Sequence, residues 1–122
     1  MKYSAKITGL GPEALLFLDD EYCNFIIIFN EDAPPELAAI SVLHECSTLL
    51  ADPKVGDIVV ICEKVYTILD IGEEAIQTLR KLGHCTVSFK GQQKADRPGI
   101  IELAGEPMTK EEIMTGGYIE IY

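Results

Sequence analysis

Two adjacent runs, GDIVVIC (residues 56–62) and KVYTILDIG (residues 64–72), carry the fold. Both are dense in β-branched and aromatic side chains, and only a turn's worth of polar residues separates them. That pattern predicts a β-hairpin. Downstream the period changes. In EEAIQTLRKLG (73–83) the apolar positions Ile76, Leu79 and Leu82 recur at helical spacing. Acids lead the segment, Arg80 and Lys81 close it, and Gly83 stands where a C-terminal cap belongs, so a helix is expected here.

HCTVSF (84–89), GIIELAG (99–105) and GYIEIY (117–122) alternate apolar and polar residues, as half-buried strands do. On the other side of the hairpin, YCNFIIIFN (22–30) reads as a buried strand that closes on the turn cluster NEDAPP. Pro35 is a good first helical position and opens a second, shorter helix in PELAAIS. Short strands with one or two short helices make the chain mainly β, a small β-barrel or sandwich-like single domain over residues 1–122. A chain of this length buries roughly two thirds of the surface its unfolded form exposes, enough for a core without disulfides. Cys23 to Cys62 and Cys46 to Cys85 share one spacing, but the residues around them do not match, so no internal repeat is expected.

Acidic residues number 20 against 10 Lys and Arg, for a formal net charge of −10. That charge repels both a phosphate backbone and an anionic lipid surface, which argues against nucleic-acid and membrane partners. The longest apolar runs, ALLFL (14–18) and FIIIF (25–29), are far too short to span a bilayer, and the N-terminus lacks the pattern of a secretory leader. A cytoplasmic location is the expectation. The four cysteines fall mostly in apolar runs and read as free, buried thiols behaving as small hydrophobes.

The chain holds two histidines, His44 in SVLHECS (41–47) and His84 in LGHCTVSF (82–89), each near a cysteine. A tetrahedral zinc site from His44, Cys46, His84 and Cys85 lacks knuckle spacing, and adjacent His84 and Cys85 in a strand point to opposite faces. Cys46 as a nucleophile would need an electropositive setting, and its neighbour is Glu45. The glycines of TGLGPE (8–13) make a turn, with no Gly-Lys-Ser to cradle phosphate. No metal or cofactor is therefore expected. Two readings of the histidines stay open: satisfied structural residues, or a lone imidazole nucleophile towards a phosphoryl donor, with one ring nitrogen fixed and the other facing the donor.

FNEDAPPELAAISVLH (29–44) and LRKLGHCTVSFKGQQKADRPGIIELAG (79–105) resemble the glucitol/sorbitol-specific enzyme IIA component of the phosphoenolpyruvate-dependent sugar phosphotransferase system. The elements LGH, F-x-G, PG and AG fall in the family's order. The resemblance implies a cytoplasmic phosphocarrier that accepts a phosphoryl group from the phosphohistidine of HPr and passes it to a cysteine of enzyme IIB. The matching carrier position is His44. His84 matches the LGH histidine, and either orients His44 or contacts the phosphoryl group, or simply caps the helix before it. The family's second histidine, two residues after the first, is Cys46 here, and Ser47 replaces the glycine that follows it.

On this reading His44 is expected to be exposed in a shallow apolar rim, with Ile40, Val42 and Leu43 as candidates for that rim or for the core. Lys54, Arg80 and Lys81 are the nearest candidates for a cation beside the phosphate. A non-catalytic regulatory or binding module of the same fold is the alternative. Exposed strand edges in so small a chain make a homodimer a further expectation.

Overall fold

A computed structural model describes residues 1–20 and 22–122. Eight strands run in the order β1 (Tyr3–Leu10), β2 (Phe25–Asn30), β3 (Val42–His44), β4 (Ile58–Ile61), β5 (Lys64–Ile71), β6 (Cys85–Ser88), β7 (Ile100–Ala104) and β8 (Tyr118–Ile121). Helix α1 (Pro35–Ala38) lies between β2 and β3, and α2 (Ala75–Leu82) between β5 and β6. The strands close into a barrel in the order β1-β3-β2-β6-β7-β5-β4-β8. Of the two architectures open to the sequence, the barrel is the one formed.

The hairpin is β4–β5, with Ile61 opposite Lys64. Its two turn residues, Cys62 and Glu63, both have positive φ, 48° and 78°. A type I′ turn requires that conformation, because its twist matches that of the strands it joins. Neither residue is glycine, so the turn carries left-handed strain that the closed ladder holds in place.

The chain is two copies of one four-stranded unit, β1–β4 and β5–β8. Within each, the first strand pairs antiparallel with the third and the second pairs parallel with the third. A bulge falls at the same place in each first strand, between Ile7 and Gly9 and between Ile68 and Asp70. Besides the equivalent ladders β1–β8 and β4–β5, the units meet across β2–β6, where Ile26 faces Val87 and Ile28 faces Cys85, and across β4–β8, where Val59 faces Ile121 and Ile61 faces Ile119. A twofold axis exchanges the pairs in each of the last two ladders. The loops repeat too: the Gly11 N–H donates to the Ser41 carbonyl at 3.0 Å and the Gly72 N–H to the Ile100 carbonyl at 2.8 Å. A Cβ on Gly11 would lie 2.1 Å from the Ala38 carbonyl oxygen, and one on Gly72 2.3 Å from that of Pro98.

This overturns the expectation of no repeat. Its trace in sequence is GPEALLFL (11–18) against GEEAIQTL (72–79), which places Ala14 and Ala75, and Leu18 and Leu79, at equivalent buried positions. The cysteine spacing has no part in it.

Alternation fills the interior: Tyr3, Ala5 and Ile7 from β1, Ile26 and Ile28 from β2, Tyr66 and Ile68 from β5, and Ile119 and Ile121 from β8 all lie in one core cluster. Each buried aliphatic side chain stabilises by roughly 1.5–3 kcal/mol. All four cysteines are free, as expected, but only Cys85 is buried; Cys46 is exposed and Cys23 and Cys62 are half-buried.

Replacing the exposed Glu63 by glycine relieves left-handed strain without removing packing. Glu63→Gly should raise the free energy of unfolding by about 0.5–1 kcal/mol, read from the urea midpoint at unchanged slope. An unchanged or lower midpoint would contradict the strained-turn account.

Candidate functional site

β3 is three residues long, and alternation turns Val42 and His44 to the same side. Both are fully buried, at 0% exposure. The His44 ring is held at both nitrogens: Nδ1 lies 2.9 Å from the Glu45 carbonyl oxygen and Nε2 2.8 Å from that of Gly83. Both partners are acceptors, so both bonds form at once only when each nitrogen carries a proton. A neutral ring makes one bond and sets the other nitrogen's lone pair against a carbonyl oxygen. The expected exposure of His44 is therefore overturned: inward alternation at the end of β3 puts it under the α2–β6 junction. Val42 belongs to the core, and Ile40 and Leu43 are half-buried.

The junction explains how the second histidine arrives. Gly83 ends α2 in the left-handed conformation, φ 63°, with its N–H donating to the Leu79 carbonyl at 3.0 Å. The chain then turns into β6 and sets His84 on the outward side. Its Nδ1 lies 3.3 Å from the Ile28 carbonyl oxygen, and its ring packs on Phe29 with centroids 4.5 Å apart. His84 is half-buried, and among the described residues nothing bonds its Nε2. One nitrogen fixed and the other free is the arrangement a nucleophilic imidazole needs, and His84 has it where His44 does not.

Asn30 completes the cluster, and the sequence reading passed over it. It faces His44 in the parallel β2–β3 register. Its Oδ1 is buried without a hydrogen-bond partner. A Cβ on Gly83 would lie 2.0 Å from that oxygen and 2.7 Å from Cε1 of His44, so the bare α-carbon of Gly83 packs against both side chains. The available signal was a polar residue closing the otherwise apolar run FIIIFN.

Around this cluster the charge is negative. The Cys46 thiol is pushed up by local desolvation and by Asp32 and Glu31, which places those acids near the residues following His44 and leaves Cys46 a poor thiolate. Of the expected cations, Arg80 pairs with Asp52 instead, and among the described residues no hydrogen bond or ion pair joins Lys54, Arg80 or Lys81 to either histidine. Cys85 lies in the core and Cys46 on the surface, and among the described residues no three His, Cys, Asp or Glu side chains converge as metal ligands.

The family model described as the PTS system glucitol/sorbitol-specific IIA component matches residues 2–120. Two curated relatives, the glucitol/sorbitol-specific EIIA components of Escherichia coli (strain K12) and Shigella flexneri, are each 31% identical over 103 residues, spanning 84% of this chain and 81% of the relative. A solved structure, the PTS system IIA component from Enterococcus faecalis V583, superposes with a TM-score of 0.73 at 25% identity, covering 97% of this chain and 98% of that one.

Two outcomes test the geometry. Gly83→Ala adds a Cβ against Asn30 and His44 at a left-handed position, and should cost roughly 2–5 kcal/mol of stability in thermal or urea unfolding. A loss under about 1 kcal/mol would mean the junction is looser than described. In native protein, iodoacetamide should label Cys46 and spare Cys85, whose thiol burial pushes up to about 12, with Cys85 reacting only in denaturant.

Proposed function

The chain belongs to the glucitol/sorbitol-specific IIA component family of the sugar phosphotransferase system, and from that premise we propose that it is a cytoplasmic phosphocarrier for polyol uptake, taking a phosphoryl group from the phosphohistidine of HPr onto His44 and passing it to a cysteine of the cognate enzyme IIB. The observation that carries the reading is the convergence of His44, Gly83 and Asn30, with His84 following Gly83 on the outward side. No helix of the described residues is long and apolar enough to cross a membrane.

Transfer needs a lone pair on one ring nitrogen of His44. The nitrogen that keeps its carbonyl keeps a proton and fixes the ring; the other gives up its carbonyl and turns outward. Its lone pair forms the new N–P bond as the donor's N–P bond breaks, through a loose, metaphosphate-like transition state. The donor ring leaves neutral, its remaining nitrogen already protonated. In the second step a cysteine thiolate forms the S–P bond as the His44 N–P bond breaks. Catalysis is chiefly alignment, and the side-chain NH2 group of Asn30, whose Oδ1 is the unpartnered atom, is a neutral donor able to steady the phosphoryl oxygens.

The anchored Nδ1 and open Nε2 of His84 favour one second reading, in which His84 itself is the acceptor. Intact mass after incubation with phosphoenolpyruvate, enzyme I and HPr separates the two. Wild type should gain one acid-labile phosphoryl group, His44→Gln none, and His84→Gln one at a reduced rate. A His44→Gln protein that still gains the group, together with a His84→Gln protein that does not, moves the carrier to His84. No gain by wild type with active donors would leave the regulatory module as the reading.

A further inference from the structure

The outer face of β2 and β6 carries a row of cross-strand neighbours: Phe29 against His84, then Ile27 opposite Thr86, then Phe25 opposite Ser88. Two steps of two residues put the ends of the row about 14 Å apart. The end away from His84 opens into a cleft of about 570 Å³, with Phe25, Ile27 and Ile100 as its apolar lining and Lys90, Arg97 and the acid Asp96 on its wall. Both cations come from the crossover between β6 and β7.

That crossover and its twofold mate have opposite charge. The segment between β2 and β3 carries Glu31, Asp32 and Glu36 and no base; the segment between β6 and β7 carries Lys90, Lys94 and Arg97 against Asp96 alone. In a chain with 20 acids and 10 bases, this is a local reversal of the overall field. Lys90 pairs with Asp96 at 3.2 Å, while Arg97 is exposed and among the described residues makes no ion pair. The crossover is also braced from beneath. One oxygen of the buried Glu102 accepts from the Ser88 hydroxyl at 2.9 Å and from the Gly91 and Gln92 N–H groups at 3.0 and 3.3 Å, and Asp70 accepts from the Ala95 N–H at 2.8 Å. The cations therefore stand on a rigid support, which lowers the entropic cost of binding.

We propose that this cleft is a docking groove for an acidic segment of one of the two transfer partners, seated while that partner's reacting residue reaches the histidine end of the row. The inference rests on the phosphocarrier reading. An interface of roughly 800 Å² per partner covers both ends of a 14 Å row, so one partner engages both at once. The acidic surroundings of Cys46 repel the same segment, which fixes the direction in which it lies.

The test compares both half-reactions, from phospho-HPr to this protein and from the phosphorylated protein to enzyme IIB, in wild type and Lys90→Glu/Arg97→Glu. One half-reaction should lose about tenfold in kcat/KM, mostly through KM, and its salt dependence should flatten; the other should stay within twofold, and phosphoryl stoichiometry should remain one. Lys90→Gln/Arg97→Gln should give an intermediate loss. The proposal is overturned if both half-reactions are unchanged, or if both fall equally alongside a lowered melting temperature. It is also overturned if the variants convert a dimer to a monomer in sedimentation, which would make the groove a contact with a second copy. A wild type that accepts no phosphoryl group overturns the carrier reading and this inference with it, whereas a phosphorylated wild type with indifferent variants overturns only the groove.

Discussion

Each half of the chain has strand edges whose backbone groups find partners only in the other half: β2 pairs with β6, β1 with β8, and β4 with both β5 and β8. An unpaired edge in a β-rich fold exposes a row of donors and acceptors that invite another chain, and closure removes it. Neither unit can close alone, because its fourth strand has no neighbour within the unit and its first and second strands have none on their outer sides. The barrel core, the placement of both crossovers and the junction at Gly83 all follow from joining the two units edge to edge. The strain at Cys62 and Glu63 belongs to the same constraint, since that turn is the seam between the copies.

A duplicated scaffold offers every position twice, and the candidate site is one of the places where the copies differ. His44, facing Asn30 at the end of β3, corresponds to Leu103 at the end of β7, and Asn30 corresponds to Phe89. In the second half those positions are apolar and pack in the core; Phe89 lies 5.0 Å from the Tyr66 ring. In the first half they are polar and only partly satisfied. Gly83 corresponds to Asn24, whose side-chain N–H groups donate to the Leu18 and Met108 carbonyls and whose Oδ1 accepts from the Met108 N–H. Asn24 ties its junction shut with three hydrogen bonds, while Gly83, lacking a side chain, leaves room for an imidazole. Polar groups buried without full partners cost stability, and here each copy holds two, Tyr3 and Asn30 in the first and Tyr66 and Glu102 in the second, so what sets the first copy apart is that its Asn30 lies beside a buried histidine.

Where local pattern and burial agree, the sequence was readable. The β4–β5 hairpin and α2 with its Gly83 cap lie within two residues of where the residues predict them, and α1 starts at the predicted Pro35 but ends at Ala38, three residues before the end of PELAAIS. β1 escaped because YSAKITGL spends its alternation on Tyr3, Ala5 and Ile7, with Ala and Ser too weak in strand preference to announce it. β3 escaped because three residues show no period. The duplication was hidden because backbone register is preserved while side chains are not: apart from GPEALLFL and GEEAIQTL, equivalent strands share little beyond the inward apolar positions. The site was half legible. His44 and His84 stood out as the two histidines, and the resemblance ordered them. The burial of His44, the orphaned Asn30 oxygen and the role of the Gly83 carbonyl depend on β3, a strand the pattern did not reveal.

The burial of His44 and a role in transfer are compatible in energetic terms. A neutral His44 already lacks one of its two carbonyl bonds, so a ring that turns its lone-pair nitrogen outward on the proposed path keeps its one hydrogen bond and gives up burial and some packing against Tyr3. A gap of about 2 kcal/mol would leave the outward state populated at roughly 3%, within reach of a partner that binds it preferentially. Closure then has a use. A histidine withdrawn between carbonyl oxygens is shielded from water and from unselected reagents, and on the proposed reading it would present a nucleophile only when a docked partner favours the open ring. Asn30 fits this cycle as the nearby polar group whose oxygen is unpartnered in the closed state, and the Gly83 carbonyl is the contact that must be surrendered if Nε2 is the nitrogen that reacts.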